Sequence, residues 1–195
     1  MRRKAEKMRI IGFIASPRKE GNTAWIVNKI LEGAQEQGAE TQAWYFSDLA
    51  IKPCLSCYGC KQGDQGCVIT DDMQKVYSAL EQAEALVLGS PVYMGQMSAQ
   101  AKIFTDRLFA QFSPRFSPYF KENAKKKLVL VFTQGNPDSG LFQLYFDYTK
   151  NMFQLLEFDV KEVQAVAGMR NEPAHERKGL DTVMKAIGSS LALER

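Results

Sequence analysis

The densest chemistry in this chain is a set of four thiols. Cys54, Cys57, Cys60 and Cys67 fall within fourteen residues, spaced Cys-x2-Cys-x2-Cys-x6-Cys, and the 195-residue chain has no other cysteine. Thiolates crowded in this way hold a soft metal or exchange electrons. Three readings are open. An iron–sulfur cluster needs four thiolates converging on a compact core; Cys-x2-Cys-x2-Cys matches the start of a ferredoxin run, and here the fourth thiol is also local. Zinc ordinarily takes two Cys-x2-Cys knuckles with a longer spacer, whereas these overlap at Cys57. The third reading is a loop of redox-sensitive or merely retained thiols without metal. Gly59, Gly63 and Gly66 suit a loop wrapped around an object and equally an open one. In a cytosolic setting thiols stay reduced, which disfavours two structural disulfides.

A second group of residues has anion-binding character. Ser16-Pro17-Arg18-Lys19-Glu20-Gly21-Asn22-Thr23 joins an apolar run to a helical pattern. A hydroxyl-rich turn with a glycine, feeding a helix start, cradles phosphate through free N–H groups and the helix dipole. Ser16 and Thr23 offer hydroxyls, Asn22 an amide, Arg18 a charge and Gly21 a bare backbone. The turn lacks the spacing of a dinucleotide fingerprint and the Gly-Lys-Ser/Thr ending of a P-loop, so it points to a mononucleotide phosphate; a plain capped turn is the other reading. Downstream, Pro91, Val92, Tyr93, Met94 and Gly95 combine a stiff turn, apolar and aromatic surface, and a glycine that allows close approach of a planar ring. Ordinary packing is the alternative for Tyr93 and Met94. Thr133-Gln134-Gly135-Asn136-Pro137 would form a third wall, or a simple turn.

The single histidine, His175, follows Pro173 in a helix-start pattern and reads as an exposed helix-end residue. One histidine leaves no material for a Ser-His-Asp triad or for zinc held by several imidazoles.

These loops need elements to place them. Strands are predicted over 9–15, 40–46, 85–89, 127–133 and 158–166. Helices are predicted over 23–37, about 71–82, 98–110, 139–156 and 173–193. Gly38 reads as a C-cap, and Asp71 and Asp72 as helix caps before they are metal ligands. Near-continuous apolar strands alternating with helices indicate an α/β protein, its parallel sheet covered on both faces. Five strands fit the doubly wound order 2-1-3-4-5, a three-layer sandwich that binds ligands at the switch between its first and third strands. The 16–23 and 91–95 loops meet there, which favours ring-plus-phosphate binding. The cysteine-rich loop, 51–70, is an insertion after the second strand.

Composition sets outer limits. Hydrophobic residues make up 45% and charged residues 24%, an ordinary balance for one domain over 1–195 with a sizeable core. A net charge of +3 tolerates anionic ligands, but without an aromatic–basic stripe it gives no case for nucleic acid. No apolar run approaches the roughly 20 residues of a membrane helix. Residues 1–7 read as a flexible tail; the strand follows directly, with no secretory apolar region, and a cytoplasmic protein is expected. Lys125-Lys126-Lys127 reads as a solvated lead-in to a strand. Phe109, Phe112, Phe116, Tyr119 and Phe120 read as core or interface packing.

The chain resembles the NAD(P)H-dependent FMN reductase and iron–sulfur flavoprotein branch of the flavodoxin-like superfamily. The resemblance is carried by Gly12-Phe13-Ile14-Ala15-Ser16-Pro17-Arg18, Gly21-Asn22-Thr23, Gly89-Ser90-Pro91-Val92-Tyr93-Met94-Gly95, and the cysteine motif followed by Asp71-Asp72-Met73. It covers about 8–170. It implies non-covalent FMN, its phosphate on the 16–23 loop and its isoalloxazine against the 91–95 loop. It also implies NAD(P)H as co-substrate, a flavin, quinone or other small acceptor, and homodimers or homotetramers with flavin sites near subunit interfaces. One alternative is an iron–sulfur flavoprotein electron carrier, with a 4Fe–4S cluster on the four cysteines and a ferredoxin-like redox partner. Another, outside redox chemistry, is a protein with a structural zinc knot.

Overall fold

The strand β1 (Arg9–Ile14) sends Ile11 and Phe13 to one face of a sheet and Ile10 and Ile14 to the other, and all four are buried. Coverage on both faces is what such apolar strands require of a parallel sheet. The computed structural model describes residues 7–62, 66–111 and 125–194. In it β1 pairs in parallel with β2 (Glu40–Tyr45) and β3 (Ala85–Tyr93). A two-residue strand, β4 (Gln96–Met97), folds back antiparallel on the end of β3. Beyond β3 lie β5 (Lys127–Thr133) and β6 (Asp159–Val166), both parallel. The order β2-β1-β3-β5-β6 is the expected 2-1-3-4-5 with β4 as a small addition.

The helices α1 (Asn22–Glu36) and α5 (Leu180–Leu193) bury Ile26, Val27, Ile30, Met184 and Leu191 on one face. On the other, α2 (Met73–Gln82), α3 (Ala99–Arg107) and α4 (Gln143–Leu155) cover Phe13, Leu88, Leu130 and Phe132. The result is a flavodoxin-like three-layer sandwich. Gly89 brings the α1 layer down onto the cleft. A Cβ there would stand 2.4 Å from Val27 Cγ2 and 3.0 Å from Thr23 Cγ2, so only a bare backbone lets the first turn of α1 rest on β3.

Three boundaries differ from the sequence expectation by four residues or more. β3 runs on to Tyr93 rather than stopping at Gly89, because pairing with β5 continues through Ser90–Phe132 and Pro91–Thr133. β1 ends at Ile14, opposite Gly89, so Pro91 sits where β3 has an open edge, a setting that tolerates proline. The last helix starts at Leu180, not at 173. A short 3-10 turn, Ala174–Glu176, and a left-handed Gly179 (φ 80) separate Pro173 from it. Helix α4 starts at Gln143 rather than 139. The tail residues before 7, Gly63, Phe112, Phe116, Tyr119 and Phe120 lie outside the described residues. Phe109 is described, and its ring meets Tyr58 and Lys61 from the cysteine loop.

Candidate cofactor cleft and cysteine loop

An open cleft of ≈ 640 Å³ lies beyond the C-terminal ends of β1, β3 and β5, within the size range of small-molecule and cofactor sites. One wall is the start of α1. Its N-cap, Gly21, has extended backbone and no side-chain cap, and the first turn carries no acidic residue. The leading N–H groups of a helix have no partner within it, so this end favours an anion. The turn is tight: Gly21 N–H donates to Arg18 O (3.1 Å) and Arg18 N–H to Ser16 Oγ (3.2 Å). Ser16, Arg18, Gly21, Asn22 and Thr23 all line the cleft.

Several of these side chains are already committed. Thr23 Oγ1 and Thr133 Oγ1 share a buried hydrogen bond of 2.6 Å. Each hydroxyl has one proton, so the pair retains a single proton for a ligand. The amide of Asn22, expected to face a phosphate, instead ties down a further wall: Nδ2 donates to Met169 O (3.4 Å) and Oδ1 accepts from Ala174 N (2.8 Å). The anion donors that remain on this wall are chiefly backbone N–H groups and Arg18, and Arg170 lines the cleft as well.

Pro91, Val92 and Tyr93 form the second wall, while Met94 and Gly95 are not among the lining residues. Both occupy the left-handed region (φ 49 and 80) in the two-residue loop between β3 and β4, the geometry of a type I′ hairpin. That turn carries the Met94 side chain fully into solvent. Thr133 and Gly135 line the third wall. So does Gln134, whose Nε2 donates to Asp138 O (2.6 Å) and Asn136 O (3.3 Å). Its Oε1 is buried without a partner among the described residues, an unmet acceptor in that wall.

The fourth wall escaped the sequence reading. Met169, Arg170, Pro173 and His175 close the cleft from the segment after β6. His175 is exposed, as expected, yet it borders the site. The signal available was topological: in this strand order the loop after the last strand opens at the same end of the sheet. Nothing in the spacing links Asn22 to residues about 150 positions away.

The cysteine loop is closed at its base. Ala50 N–H donates to Asp72 Oδ2 (2.8 Å), Lys52 N–H to Asp71 Oδ2 (2.8 Å), and Met73 N–H to Asp71 Oδ1 (3.0 Å). Arg107 grips Asp71 with both terminal nitrogens (2.7 and 3.2 Å) and donates to Lys52 O (2.8 Å). The two side chains are 1% and 3% exposed. Burial alone would raise the Asp71 carboxyl; the guanidinium and the Lys52 and Met73 amides outweigh it and hold the group below the usual carboxylate range.

Cys54 and Cys57 are exposed, and Cys60 and Cys67 are half-buried against the core. All four are free thiols, and burial pushes the Cys60 thiol up. Ser56 and Tyr58 both have left-handed backbone (φ 51 and 56). Among the described residues no three of His, Cys, Asp or Glu stand where they could share a metal ion. The all-thiol donor set has the softness for iron–sulfur or zinc chemistry, but as arranged it is not a ligand set. The residues of the cleft, by contrast, fit a phosphate-bearing ligand: an uncapped helix start, a cation, a shared hydroxyl proton and an open apolar wall.

The model of a family described as NADPH-dependent FMN reductase matches residues 8–170. An iron–sulfur flavoprotein of Methanocaldococcus jannaschii is 40% identical over 100 residues, covering 51% of this chain and 51% of that protein. One from Methanosarcina thermophila is 40% identical over 100 residues, covering 51% and 52%. The chain thus spans about half the length of the curated relatives it matches. Among solved structures, an NAD(P)H:quinone oxidoreductase from Methanothermobacter marburgensis superimposes with a TM-score of 0.70 at 16% identity, covering 97% of this chain and 100% of the other. An FMN-dependent NADH-azoreductase from Bacillus anthracis, solved with FMN, gives 0.67 at 15% identity, covering 95% and 99%. At these identities the likeness is one of fold.

Proposed function

The chain belongs to the NADPH-dependent FMN reductase family, and from that premise we propose that it is an FMN-binding oxidoreductase carrying electrons from NAD(P)H to a flavin, quinone or other small acceptor. The observation that carries this reading is the cleft, where an uncapped helix start and Arg18 face the same space as the Pro91–Val92–Tyr93 wall. When bound, FMN supplies the redox chemistry, and the protein supplies position and electrostatics. Backbone N–H groups of the first α1 turn, Arg18 and the Thr23–Thr133 hydroxyl pair hold the phosphate. Pro91 to Tyr93, with Thr133 and Gly135, support the ring, and Met94 and Gly95 shape the turn beside it. No side chain is assigned a proton-transfer role. The openness of the cleft leaves room for a nicotinamide or an acceptor to reach the ring from solvent.

Two further points support the reading without being part of the cleft. Leu144, Tyr148 and Leu155 are exposed along α4, an apolar stripe that suits a homodimer or homotetramer. No helix among the described residues is long and apolar enough to cross a membrane; the cytoplasmic location is part of the proposal. The names of the relatives favour one second reading, in which Cys54, Cys57, Cys60 and Cys67 hold a 4Fe–4S cluster and the chain relays electrons to a ferredoxin-like partner. A zinc knot would leave the cleft without a use. The test is anaerobic purification with excess FMN, then addition of NADH or NADPH. Bleaching of a bound flavin band supports the oxidoreductase; a colourless, flavin-free protein contradicts it. Iron, sulfide and zinc measured in the same sample separate the readings of the loop.

A further inference from the structure

The buried Arg107–Asp71 pair takes no part in the cleft, and burying an ion pair is costly enough that apolar packing often serves stability as well. Its contacts point to another use. The guanidinium holds Asp71 and Lys52 O, one from each end of the cysteine loop. The Arg107 carbonyl accepts the hydroxyl of Tyr77 (2.7 Å). Gln74, on the same helix as Tyr77, donates from Nε2 to Cys67 O (3.0 Å) and Ile69 O (2.9 Å), and Cys67 packs against the core cluster that includes Tyr77. Just past α3, Phe109 O accepts from Lys61 Nζ (2.6 Å), beside Cys60, and the Phe109 ring lies under the same ammonium at 4.2 Å. These ties fall at the loop base or beside Cys60 and Cys67; next to Cys57 the loop has the edge contact of Tyr58 with the Phe109 ring (6.0 Å). Cys54 and Cys57 are exposed. The other end of α3 is fixed to the residues just before Ser16 and Pro91 of the cleft: Ser98 Oγ donates to Ala15 O (2.6 Å), and Ser98 N–H donates to Ser90 Oγ (2.9 Å).

We propose that Arg107, with Asp71 and Tyr77, is a positioning device that divides the four thiols into a fixed pair, Cys60 and Cys67, and a free pair, Cys54 and Cys57. Through α3 it sets the fixed pair in register with the cleft. No three thiols now stand as a ligand set, so any chemistry shared by all four requires movement, and the ties assign that movement to Cys54 and Cys57. This consequence rests on the second reading of the loop; the division into two pairs does not.

Site-resolved alkylation tests the division. The full chain, treated anaerobically with a chelator and a reductant, is exposed to iodoacetamide. Each cysteine's rate is divided by its rate in the urea-unfolded chain. Cys54 and Cys57 should react near their unfolded rates, and Cys60 and Cys67 at least roughly tenfold slower, as for groups reached only through local opening. Tyr77→Phe keeps the ring and removes the bond to Arg107 O, and Gln74→Ala removes the bond to Cys67 O; either should speed Cys67 severalfold and leave Cys54, Cys57 and FMN affinity unchanged. Arg107→Lys should speed both fixed thiols, and Arg107→Met more so. If the Arg107 variants do not fold, Tyr77→Phe and Asp72→Ala, which frees Ala50, carry the test. Equal rates for all four thiols in the wild type overturn the proposal, as do folded variants with wild-type rates. Iron uptake on anaerobic reconstitution is read separately: two rate classes in a chain that takes up no iron would remove the cluster reading and leave the division standing.

Discussion

At the scale of single residues, the cleft separates side chains that can reach a ligand from those that hold the walls. Arg18 is the cation of the 16–23 turn that lines the cleft and makes no ion pair among the described residues, so Arg18→Ala should weaken FMN binding by about 1.5–3 kcal/mol, the usual worth of a charged hydrogen bond. Riboflavin, which lacks the phosphate, should be little affected; fluorescence titration with both flavins measures this. Thr23→Val breaks the Thr23–Thr133 bond but leaves the Thr133 hydroxyl one proton to donate, and should weaken FMN binding less. Asn22→Ala acts differently, by releasing the Met169 and Ala174 wall. Beneath the cysteine loop, removing one partner of a buried ion pair costs about 3–5 kcal/mol, so Arg107→Met should lower the urea midpoint strongly. The pH dependence follows from Asp71, whose folded carboxyl lies below its unfolded value of about 4. Its contribution is fully present above that unfolded value and is lost as the pH falls through the lower folded value. Asp71→Asn should therefore destabilise the chain at neutral pH and show a smaller further loss on acidification, seen in urea melts across the acid range.

At the scale of elements, strands were the most legible part of the sequence and helix starts the least. Ile10, Ile11, Phe13 and Ile14 declare a two-faced strand wherever they stand. The start of α5 depends instead on Gly179 adopting a left-handed turn, which the Pro173 signal overrode. The 16–23 and 91–95 loops were legible because hydroxyl, glycine and proline chemistry is local. The commitment of Asn22 to the 169–174 wall was not, since it depends on how α1 and the segment after β6 are brought together. The packing of α1 on α5 was equally hidden. A Cβ on Gly188 would stand 1.8 Å from Ile30 O, a backbone atom that cannot swing away. Gly188→Ala should therefore force the two helices apart, costing at least the 1–3 kcal/mol typical of overpacking. Its effect on FMN affinity reports how far α5 supports the phosphate end of the cleft, since α1 carries both contacts.

At the scale of the whole molecule, two chemistries share one sandwich. The cleft opens at the strand ends, and the cysteine loop is strapped to α3, whose N-cap, Ser98, is bonded to Ala15 and Ser90 beside the cleft. The exposed stripe of Leu144, Tyr148 and Leu155 predicts self-association: light scattering should find a dimer or tetramer, and Leu144→Glu with Tyr148→Glu should shift it toward monomer without unfolding the sheet. The central claim is that the cleft binds FMN through its phosphate. Titrating the flavin-stripped chain with FMN and, separately, with riboflavin tests it most directly. The account predicts one FMN per chain with altered fluorescence and clearly weaker binding of riboflavin. No binding of FMN, or equal affinity for the two flavins, would contradict it.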